Sequence, residues 1–336
     1  MTIKDLAAIT GYAVGTVSRA LNDHPNVSDK ARKAILQAAK EHGFQLNVNA
    51  KQLKQSTSNN ILVIVKGTGN EFFTEMLEYL QPLIARTRYQ LVVDYLDEDL
   101  NEVIRAVQLC REKKPLGILF LGGNTENFAK DFDKIDIPCV EVTNDASTLA
   151  FSNLSSVTTN DREAARCAID TLVACGHRSI AVIGGDRRTS DISRLRYEGC
   201  CQSFAEHGIC FDPERDYRGV RFSSEDGYKA TKQLLANGSE YSAIFAISDV
   251  MAIGAIRALW EAGKQVPEDV SIMGLDGLSL GKYLIPQLST VQQDFRTIAL
   301  RSVAILLDAI EDGVPARHET VPFQVQRRES IRAISK

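Results

Sequence analysis

The chain has 336 residues, 44% of them hydrophobic, and a net charge of −4; this is enough for two or three compact units, and no apolar run nears the ~18 residues of a membrane span. Its seven cysteines are scattered, with no Cys-x2-Cys pair and no histidine at a zinc spacing, which argues against a disulfide framework or zinc site and for reduced thiols. Residues 1–58 hold eight Lys and Arg against four Asp and Glu, a net of +4 that leaves −8 on the remainder, so a polyanionic partner would meet the N-terminal end.

The first residues, Met1 to Asp5, show neither the basic start nor the apolar stretch of an export signal, so a soluble cytoplasmic protein without a membrane partner is expected. Thr2 and Asp5 form a shortened capping box that opens a helix to about Ile9, and Gly11 supplies the positive φ of a sharp turn. A second helix, about Val14 to Asn22, turns Val17, Ala20 and Leu21 toward Leu6 and Ile9. Val14, Gly15, Thr16, Ser18 and Arg19 then face outward. Residues 23–26 end this helix, and Ser28 caps a third whose apolar stripe is Ala31, Ile35, Ala38 and Ala39, stopped by Gly43. The sum is a helix-turn-helix with one support helix. Such a unit places its second helix in a major groove, with Arg19 and its polar neighbours at base edges and Lys4, Lys30, Arg32 or Lys33 at phosphates. A plain helical bundle with a solvated basic face is the alternative.

A polar linker follows, and from residue 61 the pattern changes. Ile61–Val65, Leu91–Val93, Gly117–Leu121 and Cys139–Val142 read as buried strands separated by helical stretches, as parallel βαβ units require. Ile180–Gly184, Ala243–Ile247 and Val270–Gly274 begin a second such series. Two doubly wound parallel-sheet lobes imply a cleft between the carboxyl ends of their strands. Gly67-Thr68-Gly69 imitates a dinucleotide-binding loop, but Phe72 occupies the position of the third glycine. With no P-loop, His-Glu-x-x-His or Gly-x-Ser-x-Gly, no catalytic residue, metal or cofactor is expected. An enzyme or a non-DNA-binding solute-binding protein stands as the competing class.

Three strings of the N-terminal unit carry a resemblance: Thr2-Ile3-Lys4-Asp5-Leu6-Ala7, Gly15-Thr16-Val17-Ser18-Arg19-Ala20-Leu21-Asn22, and Val27-Ser28 with Arg32. They resemble the head of the lactose/galactose repressor family. The resemblance implies that Val14, Gly15 and Arg19 carry most of the major-groove reading, with Thr2, Lys4, Thr16, Ser18 and Asn22 also at the DNA. Val14 and Gly15 offer no hydrogen-bonding side chain, so base choice there would rest on apolar contact and close approach. Ala13 stands where the family usually has Ser, a lost cap worth about 1 kcal/mol.

Asn47-Val48-Asn49-Ala50-Lys51-Gln52-Leu53 resembles the family's hinge, which folds when two copies meet in the minor groove. This implies DNA contacts from Asn47, Ala50 and Lys51, with Leu53 as the kinking wedge. Leu46 and Lys51 depart from the common Pro and Arg. A plain linker is the other reading.

Further strings extend the resemblance over nearly the full chain, among them Gly176-His177-Arg178, Arg196-x-x-Gly199, Ser248-Asp249-Val250-Met251-Ala252, Gly274-Leu275-Asp276 and Arg328-Glu329-Ser330. They imply a periplasmic-binding-protein-like core, with an all-α helix-turn-helix domain at 1–45, a hinge at 46–58 and an effector and dimerisation domain at 59–336. Within the last, the N-lobe is expected at about 59–157 and 290–322, and the C-lobe at 158–289 and 323–336. By the same resemblance the effector site includes Arg196, Ser248 and Asp276, with Phe222 as a stacking wall and Thr68 to Phe73 closing the other lobe. Asp249 has a helix-capping reading beside a contact reading, Arg187, Arg188 and Arg194 have a phosphate reading beside a solvated one, and His177 reads as a turn residue. The whole implies a ligand-controlled transcription regulator, most naturally a repressor of carbohydrate-utilisation genes. Its partners are a palindromic operator duplex, a sugar-like effector and a second copy of the chain, since no heptad-rich tail follows Ser330. A corepressor- or partner-protein-dependent regulator is the variant within the family.

Overall fold

The computed structural model describes residues 2–21, 27–42, 44 and 58–334. The chain divides into two compact units, residues 1–58 and 59–336.

In the first unit, α1 (Ile3–Thr10), α2 (Val14–Leu21) and α3 (Asp29–Glu41) enclose a small core of Leu6, Ala7, Val17, Ala20, Val27, Ala31, Ile35 and Ala39. The Thr2 hydroxyl accepts from the Asp5 amide while the Thr2 amide donates to the Asp5 carboxylate at 2.7 Å, completing the reciprocal cap. That backbone bond is the main reason the Asp5 carboxyl lies below the usual carboxylate range. Gly11 takes φ +69° at the end of α1. The Ser28 hydroxyl accepts from the Ala31 amide and opens α3.

Ile9, expected beneath α2, is 51% exposed. The buried arc of α1 centres between Leu6 and Ala7, and at 3.6 residues per turn Ile9 lies about 110° away from it. Ala13 lends α2 only its carbonyl, which accepts from the Thr16 and Val17 amides.

The second unit runs through β1 (Asn60–Lys66), α4 (Glu71–Ala85), β2 (Gln90–Leu96), α5 (Glu102–Lys113), β3 (Gly117–Leu121), α6 (Thr125–Asp131), β4 (Cys139–Thr143) and β5 (Leu154–Thr158). It continues with α7 (Asp161–Ala174), β6 (Ile180–Gly184), α8 (Asp191–Glu206), α9 (Pro213–Asp216), β7 (Tyr217–Gly219), α10 (Ser224–Ala236), β8 (Ala243–Ala246), α11 (Asp249–Glu261), β9 (Ser271–Asp276) and β10 (Ser289–Gln293). It closes with α12 (Phe295–Asp312), β11 (His318–Thr320) and β12 (Phe323–Gln326).

Among the described residues the strands form two sheets, ordered β2-β1-β3-β4-β5-β11 and β7-β6-β8-β9-β10-β12. Every neighbouring pair is parallel except β10 with β12. Strands such as Ile61–Val65 are buried along their whole length, as a sheet covered on both faces demands. The chain passes between lobes three times, after β5, after β10 and after β11.

This corrects one expected boundary. Residues 290–322 were assigned to the first lobe, but β10 pairs with β9 in the second sheet, so the return to the first lobe starts at α12. Its Ser-Thr-Val-Gln-Gln composition hides a strand that is nonetheless almost wholly buried.

Candidate functional sites: an exposed helix face and an interlobe cleft

On the first unit, α2 leaves Val14, Gly15 and Arg19 exposed, while Thr16 and Ser18 are half-buried and so less outward than expected. Thr2 and Lys4 are exposed on the first turn of α1. Nothing lies within 4 Å of where a Cβ on Gly15 would stand. The head itself therefore does not require a glycine there, although glycine costs an exposed helix about 1 kcal/mol against alanine. Lys30 and Lys33 are exposed and Arg32 half-buried on α3. Asn22, Gly43, Asn47, Ala50, Lys51 and Leu53 lie outside the described residues, as do residues 23–26.

In the second unit a cleft of about 540 Å³ opens between the two sheets. Its wall is built where parallel strands end: Lys66 on β1, Gly122 to Asn124 after β3, Thr143 and Asn144 at the end of β4, Gly185 and Asp186 after β6, Asp276 on β9 and Gln293 on β10. Two of these positions are strained. Thr143 has φ 88° and Asp276 φ 133°, conformations that side-chain-bearing residues adopt at a cost and that concentrate at ligand sites.

Arg196, 4% exposed, reaches this floor from α8. Its Nε donates to Asp161 Oδ1 at 2.7 Å, and its Nη1 donates to the Ile247 carbonyl and, at 3.4 Å, to Asp276 Oδ1. Gly199, one turn further on, lets α8 lie against α7, since a methyl there would overlap the Arg162 carbonyl. Asp276 also accepts from Ser248 Oγ at 2.7 Å and Gln293 Nε2 at 3.0 Å. Burial raises the Asp276 pKa, and the Arg196 charge opposes that rise.

The opposite wall is also polar. Lys66 Nζ pairs with Glu102 Oε2 at 2.6 Å, and Glu102 further accepts from the Asn124 amide and Asn127 Nδ2. Asn144 Nδ2 donates to the Gly123 carbonyl at 2.8 Å. Behind Gly123 stands Glu141, fully buried, with neither carboxyl oxygen hydrogen-bonded. Burial first, then the charges of Glu102 and Asp191, push its pKa well above the ordinary value, and Lys66 and Asn144 offset this only in part.

Three polar clasps cross between the lobes. Arg221 binds Asp97, Glu98 and Asp99; Thr125 donates to Asp191 and Asn124 to the Thr189 carbonyl; Ser279 donates to Glu75.

Of the expected effector residues, Phe73, Arg196, Phe222 and Asp276 line the cleft and Thr68 and Ser248 do not. Thr68 is exposed on the loop after β1, where Asn70, Phe72 and Phe73 turn inward instead. Ser248 is fully buried behind the wall and acts on Asp276. The capping reading of Asp249 is also corrected. Its carboxylate accepts from the Gly277 and Leu278 amides and Thr290 Oγ1, tying the turn after β9 to β10. Arg188 pairs with Asp186, Arg194 pairs with Asp191 and Glu198, and Arg187 stacks on Tyr197 and Tyr217. His177 is buried between Ser242 Oγ and the Arg332 carbonyl, with its pKa lowered mainly by burial, as suits a turn residue. Sequence reasoning missed Lys66, Asn124, Asn127, Asn144, Arg221 and Gln293. The rule that ligands sit beyond the carboxyl ends of parallel strands points to Lys66, Asn124, Asn144 and Gln293 once the strands are placed.

A helix-turn-helix unit joined to a two-lobed α/β unit with an interlobe cleft defines a DNA-binding regulator with a small-molecule site. Residues 2–47 match the bacterial regulatory proteins of the lacI family, and residues 169–331 match a periplasmic binding protein-like domain. The chain is 33% identical to the HTH-type transcriptional regulator MalR of Clostridium butyricum, over 98% of this chain and 99% of that protein. It is 30% identical to the probable HTH-type transcriptional repressor ExuR of Bacillus subtilis (strain 168), over 100% and 99% respectively. Among solved structures, the lac repressor dimer bound to operator and the anti-inducer ONPF superposes with a TM-score of 0.75 at 25% identity, covering 99% of each chain. The chain belongs to the lacI family of transcription regulators.

Proposed function

We propose that this regulator acts in the cytoplasm as a homodimer on a palindromic operator, repressing carbohydrate-utilisation genes, with its hold on DNA set by a sugar or sugar derivative in the interlobe cleft. The observation that carries the reading is the cleft itself, with buried Arg196 and Asp276 facing Asn144 across strand ends under strain. The lac repressor dimer, solved on operator DNA with an anti-inducer, supports the dimeric and ligand-controlled parts. In this reading Val14, Gly15 and Arg19 read base edges, Thr2, Lys4, Thr16, Ser18 and Asn22 support that contact, and Asn47, Ala50, Lys51 and Leu53 in the 46–58 hinge meet the minor groove. Phe73, Arg196, Phe222 and Asp276 hold the effector, joined by Asn144 and Gln293. The protein works by binding and not by catalysis, in keeping with a family of regulators.

Effector binding changes the angle between the lobes and so the spacing of the two hinges. The test is selection from randomised palindromic duplexes at fixed salt, repeated with neutral sugars, sugar phosphates and purines. A two-fold-symmetric site whose occupancy one compound changes is the expected result. Binding without sequence preference under every condition refutes the reading.

A further inference from the structure

We infer that the cleft takes an uncharged, hydroxyl-rich ring and discriminates against ligands carrying a phosphate or carboxylate. The inference rests on the reading of the cleft as the effector site and adds the chemical class.

The first ground is charge. Each cation lining the cleft is already held by protein carboxylates: Lys66 by Glu102, Arg196 by Asp161 and Asp276, and Arg221 by Asp97, Glu98 and Asp99. Glu98, Asp99, Asp186 and Asp276 line the same space. An entering anion would have to share these cations with the carboxylates already bound to them while facing the others, and charge repulsion is strongest where water is excluded.

The second ground is hydrogen bonding. Asn144 lines the cleft at 2% exposure; its Oδ1 is buried without a partner, while its Nδ2 gives one hydrogen to the Gly123 carbonyl. Asp276 adds a second acceptor on the facing lobe. Both of these acceptors call for a donor, which a hydroxyl supplies and an ionised phosphate does not. Phe73, Phe222, Ile192 and Val220 add apolar surface suited to the C–H face of a ring.

The experiment is isothermal titration calorimetry on the full chain with ribose, glucose and maltose, with ribose 5-phosphate, glucose 6-phosphate and glucuronate as charged counterparts, and with inorganic phosphate alone. At least one neutral sugar is expected to bind, its charged counterpart at least about tenfold more weakly, a gap of about 1.4 kcal/mol, and phosphate without saturable heat. Saturable phosphate binding, or a charged member binding as tightly as its neutral counterpart, overturns the charge argument and leaves the effector reading standing. Silence of every neutral sugar overturns both. The triple variant Asp97→Asn, Glu98→Gln, Asp99→Asn frees Arg221 and is expected to narrow the neutral-to-charged gap at least about threefold. An unchanged gap in the folded variant also refutes the inference.

Discussion

Glu141→Gln is expected to stabilise the second unit, and to do so more as pH rises. The Glu141 carboxyl is fully exposed to solvent only when the chain unfolds; in the folded protein it is buried on β4 with no hydrogen bond and with Glu102 nearby. Its folded pKa is therefore raised, and the sign follows directly. Below the unfolded pKa both states hold the proton and the titration contributes no cost. As pH rises past that value the unfolded chain releases its proton and the folded chain does not, so stability falls by about 1.4 kcal/mol per pH unit until the folded pKa is reached. From an unfolded value near 4.5 to pH 7 the accumulated cost is about 3.5 kcal/mol at most. Glutamine keeps the shape and removes the titration, although its amide hydrogens cost part of the gain if they find no acceptor.

Urea unfolding of both proteins between pH 5 and 8 measures the difference, followed by far-ultraviolet circular dichroism and by the emission of Trp260, the chain's one tryptophan, which belongs to the second unit. The stability gap should widen with pH until the folded pKa of Glu141 is passed and level off beyond it. A gap that is constant across this range refutes the reasoning, because a packing effect carries no proton.

Gly15→Ala should raise the stability of the first unit by about 1 kcal/mol and yet weaken operator binding or shift base preference at one position, read by a thermal melt beside an anisotropy titration. Gly199→Ala should destabilise the second unit by about 1–3 kcal/mol, because the new methyl meets the Arg162 carbonyl; an unchanged urea midpoint counts against close α7/α8 packing. Asp276→Asn leaves Arg196 with one carboxylate partner and should lower sugar affinity at least about tenfold while ligand-free operator binding persists. Loss of both together would mean a folding defect instead.

The parallel strands were legible because full burial writes itself as an unbroken apolar run, as in Ile61–Val65 and Gly117–Leu121. The Arg196 and Asp276 positions were legible from the resemblance. Lys66, Asn144 and Gln293 were not, because nothing in their type marks them; their role comes only from standing at strand ends. Thr68 and Ser248 were misplaced for the related reason that a string fixes neighbours in sequence and not which of them turns toward the cleft.

Two of the strands that escaped detection share a further property. β5 and β10 are Ser- and Thr-containing segments with little apolar pattern, yet almost wholly buried, and both lead into passages between the lobes. Their polar side chains are satisfied at long range: Ser156 Oγ bonds His318 Nδ1, Thr158 Oγ1 donates to the Thr143 carbonyl, and Thr290 Oγ1 donates to Asp249. Apolar packing is non-directional and would tolerate many lobe angles, whereas hydrogen bonds of fixed length and direction favour few. Gln293 ends β10 with one such bond to Asp276 and is followed after one residue by α12 of the other lobe. A ligand that draws on Asp276 therefore competes with the bond nearest the crossing, and a discrete set of lobe angles is what such a competition can switch between.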